Sequence, residues 1–304
     1  MALTPVVDRL TATDDETLTQ LGFRADDRHD ALLTIQRVQT ESAVLARVQQ
    51  MADQLVGRIG RFDEHVNPFA IPDGFDDLDT ELLDKEWGIG VLPLLALLAS
   101  ADDVAAFHAS RGIDRATSTG SLADLGQQAW VHRRTFNNFG LHTYGWLSIC
   151  WSGALYWLGR LQYNLTHYRG DWVISTHIPE SGPLTPEAVA DSFGRARAFF
   201  AEHFPDYPTT LFHCDSWLLD PQLTEVLAPE SNMVAFQRLW QLDDEKRDSD
   251  GDALFFTFRR RGDVDLDSLP QDTSLQRAIV AKLRSGGHWQ VRNGTIEQSR
   301  FAPQ

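Results

Sequence analysis

The sequence predicts an α+β fold: a helical N-terminal domain over residues 1–139, then a mixed sheet with flanking helices over residues 140–304. Three observations predict it. Apolar residues up to about residue 140 recur at spacings of three and four, the period of a helix buried on one side. After Gly140 the composition turns to aromatic and β-branched residues, many in period-two alternation. Between Trp172 and Pro221 a strand, a polar loop, a helix and a second strand follow one another, and such a crossover joins parallel strands.

In the first half, Thr13-Asp14-Asp15-Glu16 has the composition of a helix start ahead of Leu18, Leu21 and Phe23. A longer helical pattern runs from Leu32 to Leu55 and stops near Gly57 to Gly60. His65 to Leu78, with two prolines and several aspartates, reads as a connector. Leu82 to Leu98 is the most apolar stretch of this half; Ser100-Ala101-Asp102-Asp103 then caps a short helix to His108, and Ser121 to Phe136 forms another.

In the second half, Trp146 to Trp151 is a strand candidate and Ala154 to His167 reads as one long strand. Leu155, Trp157, Leu161, Tyr163 and Leu165 face one way, with Arg160, Gln162, Asn164 and Thr166 opposite. Arg169-Gly170-Asp171 turns the chain into a strand from Trp172 to Ile178, which Pro179 ends. Thr185-Pro186-Glu187 has the form of an N-cap, a proline at N1 and an acidic first turn; Val189, Phe193, Ala196, Phe200 and Phe204 mark the buried face of the helix that follows. Thr209 to Cys214 is the next strand, and Pro221 to Leu227 a short helix. Met233 to Leu242 and Ala253 to Phe258 are expected as strands around an acidic loop, Asp243 to Asp252, with Arg259-Arg260-Arg261 a solvated strand end. Leu275 to Leu283 reads as a surface helix, and the polar tail beyond it has no assigned structure.

Two chemical features share one edge of this sheet. The backbone N–H groups around Ser181 and Gly182, with the helix N-terminus at Thr185, suit an anionic group such as a pyrophosphate. His213, Asp215 and Ser216 cluster where the next strand ends, which is where open α/β sheets place ligands.

Composition narrows the function classes. A net charge of −16 argues against a nucleic-acid partner. Two cysteines, Cys150 and Cys214, form neither a disulfide framework nor a zinc motif, so no metal is expected. Neither the N-terminus nor the apolar segment Val91 to Ala99 reads as a membrane span, and a soluble cytoplasmic protein is expected.

His177 to Val189 (HIPESGPLTPEAV) and Phe212 to Leu223 (FHCDSWLLDPQL) resemble the two signature stretches of a mainly actinobacterial family of acyltransferases. Those proteins pair a helical N-terminal domain with a GNAT-like C-terminal domain, GNAT being the superfamily of N-acyltransferases. The resemblance implies a GNAT-like mixed sheet and direct transfer of an acyl group, expected to be acetyl, from acetyl-CoA or another acyl-CoA to a small-molecule or peptide amine. It implies that pantetheine lies along Ile174, Thr176, His177 and Ile178, and the pyrophosphate on Ser181, Gly182 and Thr185. His213 or Asp215 would act as the base and Ser216 as the acid, with Glu180 and His177 as second choices. A homodimer is left open. The loop departs from the superfamily's glycine-rich pattern, with a single glycine and two prolines, each of which removes a donor.

Other readings stay open at this level. A strand-end histidine is more often a structural residue than a catalyst, and only the company of His213 and the resemblance bring the two readings level. Asp215 fits a turn cap equally well, Asp220 fits an N-cap, and Cys214 fits a core position better than a nucleophile. A hydrolase built on His213 with Asp215, Glu180 or Asp220, or a GNAT-like binding module without catalysis, are the competing functions.

Overall fold

The computed structural model describes residues 5–62, 69 and 80–302. The chain divides into two compact units, Met1–Tyr156 and Trp157–Gln304. The expected connector His65 to Leu78 lies, Phe69 apart, outside the described residues.

The first unit is helical throughout: α1 Val6–Ala12, α2 Asp15–Gln20, α3 Ala25–Val38, α4 Ser42–Gly57, α5 Thr80–Trp87, α6 Val91–Ser110, α7 Arg115–Leu122, α8 Asp124–Phe136 and α9 Tyr144–Trp151. Asp14 caps α2 by accepting from the Thr17 N–H at 2.8 Å. The expected break at Ser100 does not occur. The Ser100 hydroxyl donates to the Ala96 carbonyl at 2.7 Å inside one continuous helix, so it acts within α6 and not as a cap. That helix is long and apolar enough to cross a membrane by length and composition, and most of it is buried as the core helix of this unit. The Trp151 indole donates to the Leu97 carbonyl at 2.9 Å, fixing α9 on it.

Trp146 to Trp151 is therefore helix and not strand. Its buried residues, Leu147, Cys150 and Trp151, are spaced three and four apart. In so short an apolar run, periodicity does not separate the two states. The composition shift at Gly140 thus falls before a helix of the first unit.

The sheet comprises β1 Leu155–Leu158, β2 Leu161–Tyr168, β3 Asp171–His177, β4 Leu211–Ser216, β5 Gln241–Asp248 and β6 Gln290–Glu297, in the order β1-β2-β3-β4-β6-β5. Its helices are α10 Pro186–His203, α11 Leu223–Val226, α12 Asn232–Gln237, α13 Asp250–Phe258 and α14 Ser274–Arg284. The stretch read as one strand is two, β1 and β2, separated at Gly159-Arg160; Gly159 has φ +76°, a left-handed value suited to a tight turn. Arg169 and Gly170 both have positive φ, 53° and 93°, the conformation that closes a two-residue hairpin between β2 and β3.

The region beyond Ser231 differs most from expectation. Met233 onward is α12, capped by Ser231, with Val234 and Gln237 buried three residues apart. The acidic run is not a loop but β5, an edge strand whose charged side chains are tolerated because one side faces no neighbour. Ala253 to Phe258 belongs to α13, whose first turn carries Asp250 and Asp252 at the favourable dipole end. The polar tail supplies β6, which inserts between β4 and β5 and completes the sheet.

On one face of the sheet lies α10. The Thr185 hydroxyl accepts from Ala188 N–H, Pro186 occupies the first turn, and Val189, Phe193, Ala196 and Phe200 are buried. The Phe193 ring meets Tyr163 at 5.8 Å, Phe212 at 4.7 Å and Phe301 at 4.5 Å.

Candidate functional site

The parallel pairing of β3 with β4 is confined to Ile174↔Phe212 and Ser175↔His213. Beyond that point both strands continue, each bonded only on its outer side. Thr176 and His177 pair with Tyr163 and Gln162 of β2. Cys214, Asp215 and Ser216 pair with Gly294, Asn293 and Arg292 of β6. The facing edges of β3 and β4 are thus not joined to each other past Ser175 and His213, and backbone groups there are placed to meet an extended ligand as a strand would.

Alternation along the paired strands puts Gln162, Asn164, Tyr168, Ser175, His177, His213, Asp215, Asn293 and Thr295 on the face opposite Tyr163, Phe212 and α10. His213 is 8% exposed. Its ring stacks on Tyr168 with centroids 4.3 Å apart, and its Nε2 lies 3.0 Å from Asn293 Oδ1. Because Oδ1 can only accept, Nε2 carries the hydrogen and Nδ1 bears the lone pair. Nδ1 is buried and has no hydrogen-bond partner among the described residues. Burial lowers the His213 pKa, partly opposed by Asn293 and the carboxylates Asp215 and Asp243, so the imidazole is neutral near pH 7.

Its neighbours are arranged around it. The Tyr168 hydroxyl donates to Asp243, and burial with that carboxylate pushes its pKa up to about 12. His177 Nε2 lies 2.6 Å from Asn164 Oδ1, and burial together with nearby His213 pushes its pKa down to about 3. Tyr168, Val173, Leu211, Asp243 and Thr295 line an open cavity of about 670 Å³ on this face, which Asp171, Asp244 and Glu245 make acidic.

Asp215 shares the His213 face and is held by Arg247 at 2.8 Å. Ser216 points to the other face and caps the turn Trp217–Leu219 by accepting from the Leu218 N–H. Asp220 is fully buried, accepting from Gln222 N–H, Gln222 Nε2 and Gln290 N–H, which makes it an anchor of β6 and not a reacting group. Cys214 is wholly buried and its thiol pKa is raised by desolvation, so no thiolate is at hand. Among the described residues, no group of three or more His, Cys, Asp or Glu could hold a metal ion.

The loop after β3 is fastened from two sides. Arg160, from the β1–β2 turn, donates to the carbonyls of Pro179, Gly182 and Pro183 and to the Ser181 hydroxyl. Arg259 pairs with Glu180; it is buried at the left-handed end of α13 and is not a solvated strand end. Gly182 has φ +126°, which only glycine adopts without strain. Of the expected cofactor residues, Ile174 and Thr176 bury their side chains away from the polar face, so β3 would present its backbone to a ligand. Ser181 and Gly182 lie in the fastened loop, and Thr185 opens α10.

Sequence reasoning missed Arg160, Tyr168, Asn293 and Asp243. Asn164 was visible as a polar position in the β2 alternation; Asn293 lay in a tail without assigned structure.

Residues 12–153 match the N-acyltransferase N-terminal domain and residues 155–296 the GNAT-like C-terminal domain. An acyltransferase crystallised with decanoyl-CoA is 34% identical, with a TM-score of 0.82, covering 93% of this chain and 86% of that one. An acyltransferase in complex with decanoyl-CoA and teicoplanin is 30% identical, with a TM-score of 0.83, covering 96% of this chain and 93% of that one. A mutant acyltransferase with octanoyl-CoA, 30% identical with a TM-score of 0.82, covers the same shares. No curated protein matches the chain. A helical unit followed by a mixed sheet opened between its two parallel strands, and full-length likeness at 34% identity, lead to one conclusion: the chain belongs to the acyltransferases that pair an N-acyltransferase N-terminal domain with a GNAT-like C-terminal domain.

Proposed function

We propose that this enzyme moves a medium-chain acyl group from acyl-CoA to an amine on a small-molecule acceptor of the glycopeptide kind. The observation that carries the reading is the β3–β4 ladder, which stops at Ser175↔His213 while both strands run on. A pantetheine arm has amides along its length and can pair with the open edge of β3 at Thr176 to Ile178. Ser181, Gly182 and the N-terminus of α10 at Thr185 then receive the pyrophosphate. The sequence led to an expectation of acetyl; the octanoyl and decanoyl thioesters of the solved relatives favour the longer donor.

In this reading the acceptor nitrogen attacks the thioester carbonyl, a C–N bond forms and the C–S bond breaks. The proton leaving nitrogen passes to His213 Nδ1, the buried lone pair opposite the Asn293 contact. Asp215 lies two residues on, on the same face, and its charge favours the imidazolium that results. Ser216, the expected acid, points to the opposite face and caps the turn Trp217–Leu219, so in this reading the proton taken up by His213 passes on to the departing thiolate.

Thermal unfolding with acetyl-, octanoyl-, decanoyl- and desulfo-CoA at equal concentration tests the donor. A ligand at ~100 times its Kd stabilises the folded state by about 2.7 kcal/mol, a readily measured shift. The expected shift grows from acetyl to decanoyl. An unchanged midpoint with every CoA species would overturn the reading, and a maximum at acetyl would restore the shorter donor.

A further inference from the structure

The phosphate loop proposed above has too few glycines to shape itself, and the geometry points to Arg160 as the residue that shapes it. This inference rests on the assignment of Ser181, Gly182 and Thr185 to the CoA pyrophosphate. We infer that Arg160 is a positioning residue for that loop, fixing the direction of its peptide planes so that its remaining N–H groups face the phosphates.

Arg160 Nη1 donates to the Pro179 carbonyl at 2.9 Å and to Ser181 Oγ at 3.1 Å. Its Nη2 reaches the Gly182 carbonyl at 2.7 Å, and its Nε is shared between the Gly182 and Pro183 carbonyls at 3.0 and 3.2 Å. One guanidinium thus takes up three carbonyls and a hydroxyl across residues 179–183. A trans peptide holds its C=O and the following N–H on opposite sides, and the described residues contain no cis bond. Each carbonyl turned toward Arg160 therefore turns the next N–H away from it, at Glu180 after Pro179 and at Leu184 after Pro183. Pro183, after Gly182, has no N–H to offer.

This replaces what glycines do elsewhere. A glycine-rich loop can bend its peptide planes around a phosphate because no Cβ restricts them. Here Pro179 and Pro183 stiffen the loop, Gly182 supplies the single left-handed turn, and the planar fork of Arg160 sets the planes from behind. The Arg259–Glu180 pair steadies the same loop from the far end of α13. A lysine at position 160 would keep the charge and lose the fork.

The test compares two donors on the purified full-length enzyme: decanoyl-CoA, and decanoyl-pantetheine, which lacks the nucleotide and pyrophosphate. Arg160→Ala is expected to raise KM for decanoyl-CoA about tenfold or more, the loss that accompanies removal of charge-assisted hydrogen bonds. KM for decanoyl-pantetheine and kcat on either donor stay within a factor of about two, since neither involves the pyrophosphate. Arg160→Lys is expected to resemble the alanine variant; should Arg160→Ala not fold, it carries the same comparison. Equal losses on both donors, unchanged KM for decanoyl-CoA, or full rescue by lysine would each overturn the inference while leaving the loop assignment in place. A wild-type enzyme with the same KM for both donors would instead overturn the assignment of the loop to phosphate, and the inference with it.

Discussion

The two faces of the sheet are both buried but are built from opposite materials. On the α10 side lie Tyr163, Ile174, Phe212 and Ile296, all buried, with the Tyr163 and Phe212 rings meeting Phe193. On the other side lie Gln162, Asn164, Ser175 and His213, all less than a tenth exposed. Burying apolar surface stabilises a fold in proportion to area, whereas a buried polar group costs free energy unless it is hydrogen-bonded. The polar face meets that cost with pairs: His177 with Asn164, His213 with Asn293, and Tyr168 with Asp243. It leaves Gln162 Nε2 and His213 Nδ1 without a partner among the described residues. One face holds the sheet together; the other leaves polar atoms unpaired, as the proposed mechanism requires of His213.

Truncating the two faces should therefore separate activity from stability. His213→Ala is expected to lower kcat with decanoyl-CoA by ~10²–10⁴-fold, the usual range for loss of a general base. The denaturant midpoint should fall less than for a core aromatic, since the change removes one unsatisfied nitrogen along with the Asn293 hydrogen bond and the stack on Tyr168, and turnover is therefore scored per folded molecule. Retention of most of the turnover by the folded variant would remove His213 from the mechanism.

The opposite result is expected for Phe193, whose ring meets those of Tyr163, Phe212, Trp240 and Phe301. Phe193→Ala should cost about 3–5 kcal/mol of stability, the transfer loss plus the cavity left behind. Turnover per folded molecule should stay within a factor of about two of wild type. Urea denaturation gives the first quantity, and activity corrected for the folded fraction gives the second. A large kcat loss without destabilisation would show that the apolar face also tunes the site.

Acid should find the polar face first. The His177 pKa falls to about 3 in the folded chain, so the folded state resists a proton that the unfolded chain accepts near pH 6.5. Its contribution to stability is present above about pH 6.5 and is lost progressively as pH falls toward 3. His108, buried in the first unit with its Nδ1 on Ser118, adds a loss of the same sign down to about 4. His177→Gln is expected to flatten the decline of the unfolding free energy between pH 6.5 and 4. A variant as acid-sensitive as wild type would assign the decline to other groups.

What the sequence disclosed about these faces follows from local signals. The β3–loop–α10–β4 unit was legible because each step has its own chemistry: alternation, a stopping proline, a threonine cap, and apolar residues three and four apart. Sequence reasoning also separated the two faces of β2, since Gln162, Asn164 and Thr166 alternate with Leu161, Tyr163 and Leu165. It failed where partners are distant. β6 is polar on one side and sits between β4 and β5, so its identity depends on pairing across some eighty residues, visible as the His213–Asn293 contact. β5 looked like an acidic loop because an edge strand does not need an apolar pattern. Arg160 looked like one more polar strand position because its turn, between two apolar runs, leaves little local trace.

The smallest expected effect tests the polar face at a single hydrogen bond. Asn293→Ala removes the acceptor that keeps the hydrogen of His213 on Nε2. Without it, the tautomer with the hydrogen on Nδ1 becomes accessible, and in that form the proposed base has no lone pair toward the acceptor. A fall in kcat of about tenfold, near 1.4 kcal/mol, is expected from losing one orienting hydrogen bond. The pH dependence distinguishes this from simple damage. The Asn293 contact raises the His213 pKa against the larger effect of burial, so its loss lets that pKa fall further. In the proposed mechanism activity needs neutral His213 and rises with pH through its folded pKa; the acid limb of kcat/KM should therefore move to lower pH in the variant even as the plateau drops. A limb that moves to higher pH, or a plateau unchanged from wild type, would mean that Asn293 fills space beside His213 without choosing its tautomer.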